Sequence, residues 1–208
     1  MYSNDYSSKR DFIKRILPAL GAGVISFALL TGCGEQKPEV TSVTIDKNGK
    51  VSNVIIEEFG IQYDINELLD MAASEISEYN SEYPEPKITL DTVEKIDEGS
   101  FVKVAMSYAG TADFAYYNQS TLFYGTVQEA IDAGYKVSPE LVNNAGEKVD
   151  LTAVMDHPDR HIIITTDKSN FKTPYNIEYM TQGVVLLGNK EAMLSSVTDN
   201  SVQLLLSK

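Results

Sequence analysis

The chain has 208 residues, with 17 Lys and Arg against 30 Asp and Glu and a formal net charge of −13. That sign excludes the counterion-displacing surface with which proteins condense on nucleic acid, and 43% hydrophobic residues exclude a wholly disordered chain. A single cysteine rules out an internal disulfide framework and a four-cysteine zinc site.

The first 33 residues differ in kind from the rest. Lys9, Arg10, Lys14 and Arg15 outweigh Asp5 and Asp11, and an apolar stretch over residues 16–30 follows, broken by Pro18, Gly21, Gly23 and Ser26. About 15 residues is short of the roughly 20 that a membrane-spanning helix needs and suits the apolar part of a signal peptide. The stretch ends in Leu30-Thr31-Gly32-Cys33, and polar sequence begins at once. A retained membrane helix or a buried core helix is the plainer alternative, and this abrupt ending argues against both.

Leu-x-Gly-Cys behind a basic segment resembles the lipobox of bacterial lipoproteins. The resemblance implies a diacylglyceryl thioether on Cys33, cleavage of the Gly32–Cys33 bond, and Cys33 as the mature N-terminus. Two acyl chains anchor stably where one holds only reversibly. On that expectation residues 1–32 are a lipoprotein signal peptide, 33–39 are the lipidated Cys33 with a short tether, and 40–208 form an extracytoplasmic domain that divides, if at all, near residue 110. Cleavage removes four of the 17 basic and two of the 30 acidic residues, leaving 13 and 28 and a net charge of −15. Such a body is repelled by anionic headgroups and wall polymers, so the lipid must do the holding. Residues 34–39 reach only ~20 Å when extended, which keeps the domain close to the outer face of the cytoplasmic membrane.

Residues 40–46 and 51–59 read as strands about Lys47-Asn48-Gly49-Lys50, and Asn-Gly there predicts a hairpin with a type I′ turn. Asp64 opens the clearest helix, with Glu67 completing a capping-box variant. Ile65, Leu68, Leu69, Ala72, Ala73, Ile76 and Tyr79 recur on one face, against Glu67, Asp70, Glu75 and Glu78 on the other. The acidic side reads first as a solvated surface and second as a docking face for a basic partner. Pro84 and Pro86 force extended backbone after it. Residues 87–96 and 101–108 form a second hairpin, so 40–109 reads ββαββ.

In the second half, residues 112–119 predict a short helix capped by Thr111, with Phe114 and Tyr117 inward. Residues 122–125 are a brief extended piece. Thr126-Val127-Gln128-Glu129 is a capping box opening a short helix that Gly134 ends. Strands are expected near 149–154, 161–166, 176–181, 183–187 and 202–206. The expected fold class is α+β: antiparallel β-hairpins packed with one long amphipathic helix and two short helices. At Phe123-Tyr124-Gly125-Thr126, Glu129-Ala130 and Ala133-Gly134-Tyr135 the chain resembles lipoproteins of Gram-positive, clostridia-type bacteria. That resemblance implies a lipid-anchored extracytoplasmic domain and assigns no catalytic residue.

Chemistry concentrates in Asp156-His157-Pro158-Asp159-Arg160-His161, which holds both histidines of the chain. Imidazole and carboxylate together suit zinc or another divalent metal, so Asp156, His157, Asp159 and His161 are candidate ligands. Pro158 and the following Ile162-Ile163-Ile164 read as a loop entering a strand, which removes the helical geometry that would join the two rings. The plainer reading is a polar turn whose aspartates cap backbone amides. No nucleophile elbow and no phosphate-binding loop is present. Tyr108, Tyr116, Tyr117, Phe123, Tyr124 and Tyr135 lie close in sequence. Tyr116, Tyr117 and Tyr124 are the candidate rings for a sugar, peptide or small-molecule site, and core filling is the plainer use of all six. The sequence therefore favours a non-enzymatic binding or interaction module, held at the membrane by its lipid, with no cofactor and no catalytic residue assigned. The alternative is a small metal-assisted hydrolase centred on His157 and His161. A two-lobed solute receptor is disfavoured because about 170 residues hardly supply two lobes.

Overall fold

The structure is a computed structural model that describes residues 39–60 and 63–208; the expected signal peptide, Gly32 and Cys33 lie outside the described residues. The first hairpin joins β1 (Ser42–Ile45) to β2 (Val51–Glu58). Its turn is not type I′, because Gly49 alone of the turn residues takes a positive φ, +80°. The Asp46 carboxylate accepts from the N–H groups of Asn48 (2.8 Å) and Lys50 (2.9 Å). Asp46 N–H also donates to the Lys50 carbonyl at 3.0 Å. An aspartate able to accept from two amides settles a three-residue loop with a left-handed glycine in third place.

Helix α1 (Ile65–Asn80) is capped by Asp64, which accepts from Asn66 N–H at 2.8 Å. It buries Leu68, Ala72, Ile76 and Tyr79. Leu69 and Ala73, expected on that face, are exposed, so the buried stripe is a single narrow row. Strands β3 (Ile88–Ile96) and β4 (Phe101–Tyr108) follow, and β4 buries alternate residues from Val102 to Tyr108. Helix α2 (Thr111–Tyr117) takes Thr111 as its first residue, with Gly110 at the cap position. It leads into β5 (Leu122–Thr126) and α3 (Val127–Asp132). The capping box at the start of α3 is complete: Glu129 N–H donates to Thr126 Oγ1 at 3.1 Å and Thr126 N–H to Glu129 Oε2 at 2.7 Å.

The strand expected near 149–154 is instead α4 (Leu151–Met155). The Asp150 carboxylate accepts from Thr152 N–H (2.9 Å) and Ala153 N–H (3.4 Å), satisfying first-turn donors that a strand would spend on a neighbour. Then come β6 (His161–Thr165), β7 (Asn170–Lys172), β8 (Ile177–Met180), β9 (Val185–Gly188), β10 (Glu191–Met193) and β11 (Val202–Leu206). Strands β7 and β10, three residues each, are additions to the expected set.

The strands form a seven-stranded sheet, β3-β4-β2-β1-β7-β10-β9, and a four-stranded sheet, β5-β6-β11-β8. Pairing is antiparallel except between β1 and β7, which run parallel with Ser42 opposite Asn170. The larger sheet therefore draws strands from both sides of Gly110. Its inward residues, among them Val43, Val104 and Phe171, share one core with Leu68 and Ile76 of α1 and with Ile163, Leu204 and Leu206 of the smaller sheet. The other face of the smaller sheet packs Ile162, Ile164 and Leu205 against Val127, Ala130 and Val154 in a second core. Strand β6 is covered on both faces, and this is why it reads as an unbroken isoleucine run. The fold is α+β, with one long and three short α-helices among the described residues.

Candidate functional site

The tyrosines that lie close in sequence separate into three groups in space. Phe123 and Tyr135 meet at 5.2 Å between ring centroids and pack against the second core. Tyr124 belongs to a group around His161. Tyr108, Tyr116 and Tyr117 join Tyr79 and Tyr83, which come from α1 and the turn after it.

That last group runs from the core outward. Tyr108, at the end of β4, is buried with its ring 5.2 Å from Phe114 and 6.0 Å from Tyr117. Its hydroxyl accepts from Asn118 Nδ2 at 3.3 Å. Tyr117 is half-buried and meets Tyr79 edge-on at 6.1 Å. Tyr79, at the C-terminal end of α1, donates its hydroxyl to Asp113 Oδ1 at 3.0 Å and accepts from the Tyr83 hydroxyl at 3.3 Å. Its ring lies 5.2 Å from that of Tyr83 and 5.6 Å from that of Tyr116, tilted by 39° and 44°. Lys87 Nζ stands 5.7 Å from the Tyr83 ring. At the outer end, Tyr116 is 72% exposed, the most of any large hydrophobic residue described. The inner rings are core, as the plainer reading has it. Tyr83 and Tyr116 each lie against the Tyr79 ring, whose hydroxyl also holds the Asp113 carboxylate.

Burial raises the phenol pKa values along this row. Tyr108 is pushed up to about 12, chiefly by desolvation and against the hydrogen bond from Asn118. Tyr79 and Tyr117 are also raised, again by burial first, with Tyr83 and Asp113 adding at Tyr79 and Glu75 adding at Tyr117. A phenol whose folded pKa lies above its unfolded value near ~10 favours the folded state fully below that pH. The contribution is lost as the pH rises through the folded value. Ultraviolet titration of the phenolates is therefore expected to show two classes of tyrosine, the late class appearing with unfolding near pH 12. A single class titrating near pH 10 would contradict the burial of Tyr79, Tyr108 and Tyr117.

The second group lies where β5, β6, the first hairpin turn and the C-terminal segment meet. The His161 ring stacks on Tyr124 at 5.1 Å and lies 5.2 Å from Tyr175. Its Nδ1 is 2.9 Å from the backbone oxygen of Lys208, an acceptor only, so Nδ1 carries the proton of the neutral ring. Its backbone N–H donates to the same oxygen at 2.7 Å. The Tyr124 hydroxyl is shut away from water. Desolvation, then the neighbouring Tyr175 and Asp46, pushes it up to about 12. Backbone and side-chain bonds from Thr126 hold the Glu129 carboxyl below the ordinary range.

The candidate metal ligands are strung out along the chain. Asp156 closes α4, His157 and Asp159 sit exposed in the turn after it, and His161 opens β6. The turn is held by backbone bonds from Asp156 N–H to Thr152 and from Arg160 N–H to His157. Among the described residues no group of three or more His, Cys, Asp or Glu side chains is gathered to hold a metal ion. Between the histidines, Arg160 donates to the Leu206 carbonyl from Nε (3.0 Å) and Nη2 (2.8 Å) and pairs with Glu178 at 2.7 Å. This part of the motif clamps the end of β11.

Tyr79, Tyr83, Asp113 and Tyr175 were missing from the sequence-derived candidates. The four-residue spacing of Tyr79 and Tyr83 was a signal in the sequence; nothing marked Tyr175. No helix among the described residues is long and apolar enough to cross a membrane. Comparisons with protein families, curated proteins and solved structures find no match.

Proposed function

We propose that this chain is a lipid-anchored extracytoplasmic binding module whose ligand is a neutral saccharide held on the exposed ring of Tyr116. The observation that carries the reading is the exposed Tyr116 ring, 72% open to water yet braced from behind by Tyr79. A braced aromatic ring offers a flat apolar platform for the C–H face of a sugar at little ordering cost. Asp113, already oriented by the Tyr79 hydroxyl, is an acceptor for sugar hydroxyls beside that platform. The net charge of −13 argues against an anionic polymer as ligand. The Leu30-Thr31-Gly32-Cys33 signal supports the anchor, and the short tether would hold the platform close to the membrane. No step of this reading requires a metal or a catalytic residue.

Calorimetric titration of the full chain in mild detergent with neutral oligosaccharides, β-1,4-linked N-acetylglucosamine oligomers among them, tests it. Tyr116→Ala is expected to weaken binding about tenfold, the scale of ~1.4 kcal/mol for one stacked ring. The thermal midpoint should stay unchanged, because an exposed ring contributes little to stability. Equal binding by the wild-type chain and Tyr116→Ala, or none by either, would sink the proposal.

A further inference from the structure

Five tyrosine rings run without a break from the core to the surface. Tyr108 meets Tyr117 at 6.0 Å between centroids, Tyr117 meets Tyr79 at 6.1 Å, and Tyr79 meets Tyr83 at 5.2 Å and Tyr116 at 5.6 Å. Tyr79 is the junction, and its hydroxyl is bonded on both sides. It donates to Asp113 Oδ1 at 3.0 Å and accepts from the Tyr83 hydroxyl at 3.3 Å. An oxidised phenol is a strong acid, so a tyrosine gives up an electron readily where its proton can leave at the same moment. An ionised carboxylate accepts and carries no proton of its own, and Asp113 stands at the end of the bond that the proton would follow. Once the proton has moved, the Tyr83 hydroxyl still donates to the Tyr79 oxygen and supports the phenoxyl that remains. At the inner end of the row, the Tyr108 hydroxyl donates to the Met106 sulfur at 3.6 Å. A thioether is a weak acceptor and takes up no proton at neutral pH, so Tyr108 lacks the exit that Tyr79 has.

We infer that Tyr79 is a redox-active tyrosine, oxidised through the Tyr116 ring by a one-electron oxidant in solution, with Asp113 taking its proton. The oxidant belongs to the class of small radical oxidants, such as carbonate or peroxyl radicals. It gains one electron and is reduced. Tyr116 passes that electron on from Tyr79 and ends unchanged. Tyr79 loses one electron from its ring and its hydroxyl proton to Asp113 Oδ1, leaving a neutral phenoxyl radical beside a neutral carboxyl. Burial shields this radical from others in solution, so it outlives those formed on exposed rings. The oxidising charge stops short of Met106, which is buried and whose sulfoxide would set a polar group in the core. Oxidation of Tyr79 needs no bound saccharide, and its test is run without one.

The test uses the full chain in mild detergent, a ruthenium polypyridyl photo-oxidant and persulfate as the final electron acceptor. A flash is expected to leave a slowly decaying tyrosyl signal in absorbance and in electron paramagnetic resonance. Tyr79→Phe should abolish that slow component and leave the fast signal of exposed tyrosines. Asp113→Asn keeps an oxygen to accept the hydrogen bond but is no base at neutral pH. It should slow formation of the signal at least about tenfold, the effect of ~1.4 kcal/mol on a barrier. Tyr116→Phe keeps a ring against Tyr79 that is harder to oxidise, and it should also slow formation. In the wild-type chain, deuterated water should slow formation because electron and proton leave together, and this reading needs no variant. A slow component that is absent from the wild-type chain, or that survives Tyr79→Phe, overturns the inference. A rate unchanged by Asp113→Asn, by Tyr116→Phe or by deuterated water overturns it as well.

Discussion

Phe171→Ala is expected to lower stability by about 3–5 kcal/mol, the range for removing a buried aromatic side chain and leaving a cavity. Phe171 has no exposed surface and stands at the middle of β7, opposite Val43 of β1 on one side and Ala192 of β10 on the other. It is the central residue of the strand that joins the β1–β2 hairpin to the β9–β10 hairpin. Domains are stable by only about 5–15 kcal/mol in all, so the variant should sit at the margin of folding. Urea denaturation should show a lower midpoint with an unchanged slope. Phe171→Leu, which keeps most of the volume, should lose no more than about 1.5 kcal/mol. Equal losses for the two variants would mean that the loss does not come from the cavity.

The second large effect is expected at Asn80, the last residue of α1. Its Oδ1 accepts from Lys87 N–H (2.8 Å) and Ile88 N–H (3.0 Å), and its Nδ2 donates to the Ile88 carbonyl at 2.8 Å. One amide thus ties the end of the helix to the start of β3 across the Pro84–Pro86 turn. Asn80→Ala leaves three backbone groups without these partners and should cost about 2–3 kcal/mol. Asn80→Asp keeps the acceptor for both N–H groups and should cost less than half as much. Thermal unfolding of the two variants side by side checks the ranking. A loss at Asn80→Ala below about 0.5 kcal/mol, the level of an ordinary surface change, would show that the turn holds itself.

The parts of this fold that could be read from the sequence are those built from neighbouring residues. Both hairpins of the first half, the start of α1 at Asp64 and the capping box at Thr126 and Glu129 depend on groups a few residues apart. The strand expected over 149–154 failed for the same local reason: Asp150 can cap, and its carboxylate outweighed the strand-like pattern. Leu69 and Ala73 looked core-facing because periodicity alone does not say how wide a stripe the sheet will cover. Strands β7 and β10 are too short to show any alternation. Of the candidate rings, Tyr116 and Tyr117 did come together, but with Tyr79 and Tyr83, more than thirty residues earlier, and Tyr124 went to a different group. Which rings meet is decided by how α1 lies against β3 and α2, and no local pattern encodes that.

The parallel pairing of β1 with β7 also constrains the order of events along the chain. Residues 42–45 are among the first of the domain to emerge, and their neighbours at 170–172 among the last. Until then the first hairpin has an open flank, with Val43 and Ile45 waiting for cover. Closing so distant a contact carries the loop-entropy cost that slows folding. A chain cut short before Phe171 would keep the first hairpin, α1 and the second hairpin while presenting β1 as a bare edge. Such fragments should be prone to associate. The ββαββ half is thus legible as a unit in the sequence, yet its sheet is finished only by the far end of the chain.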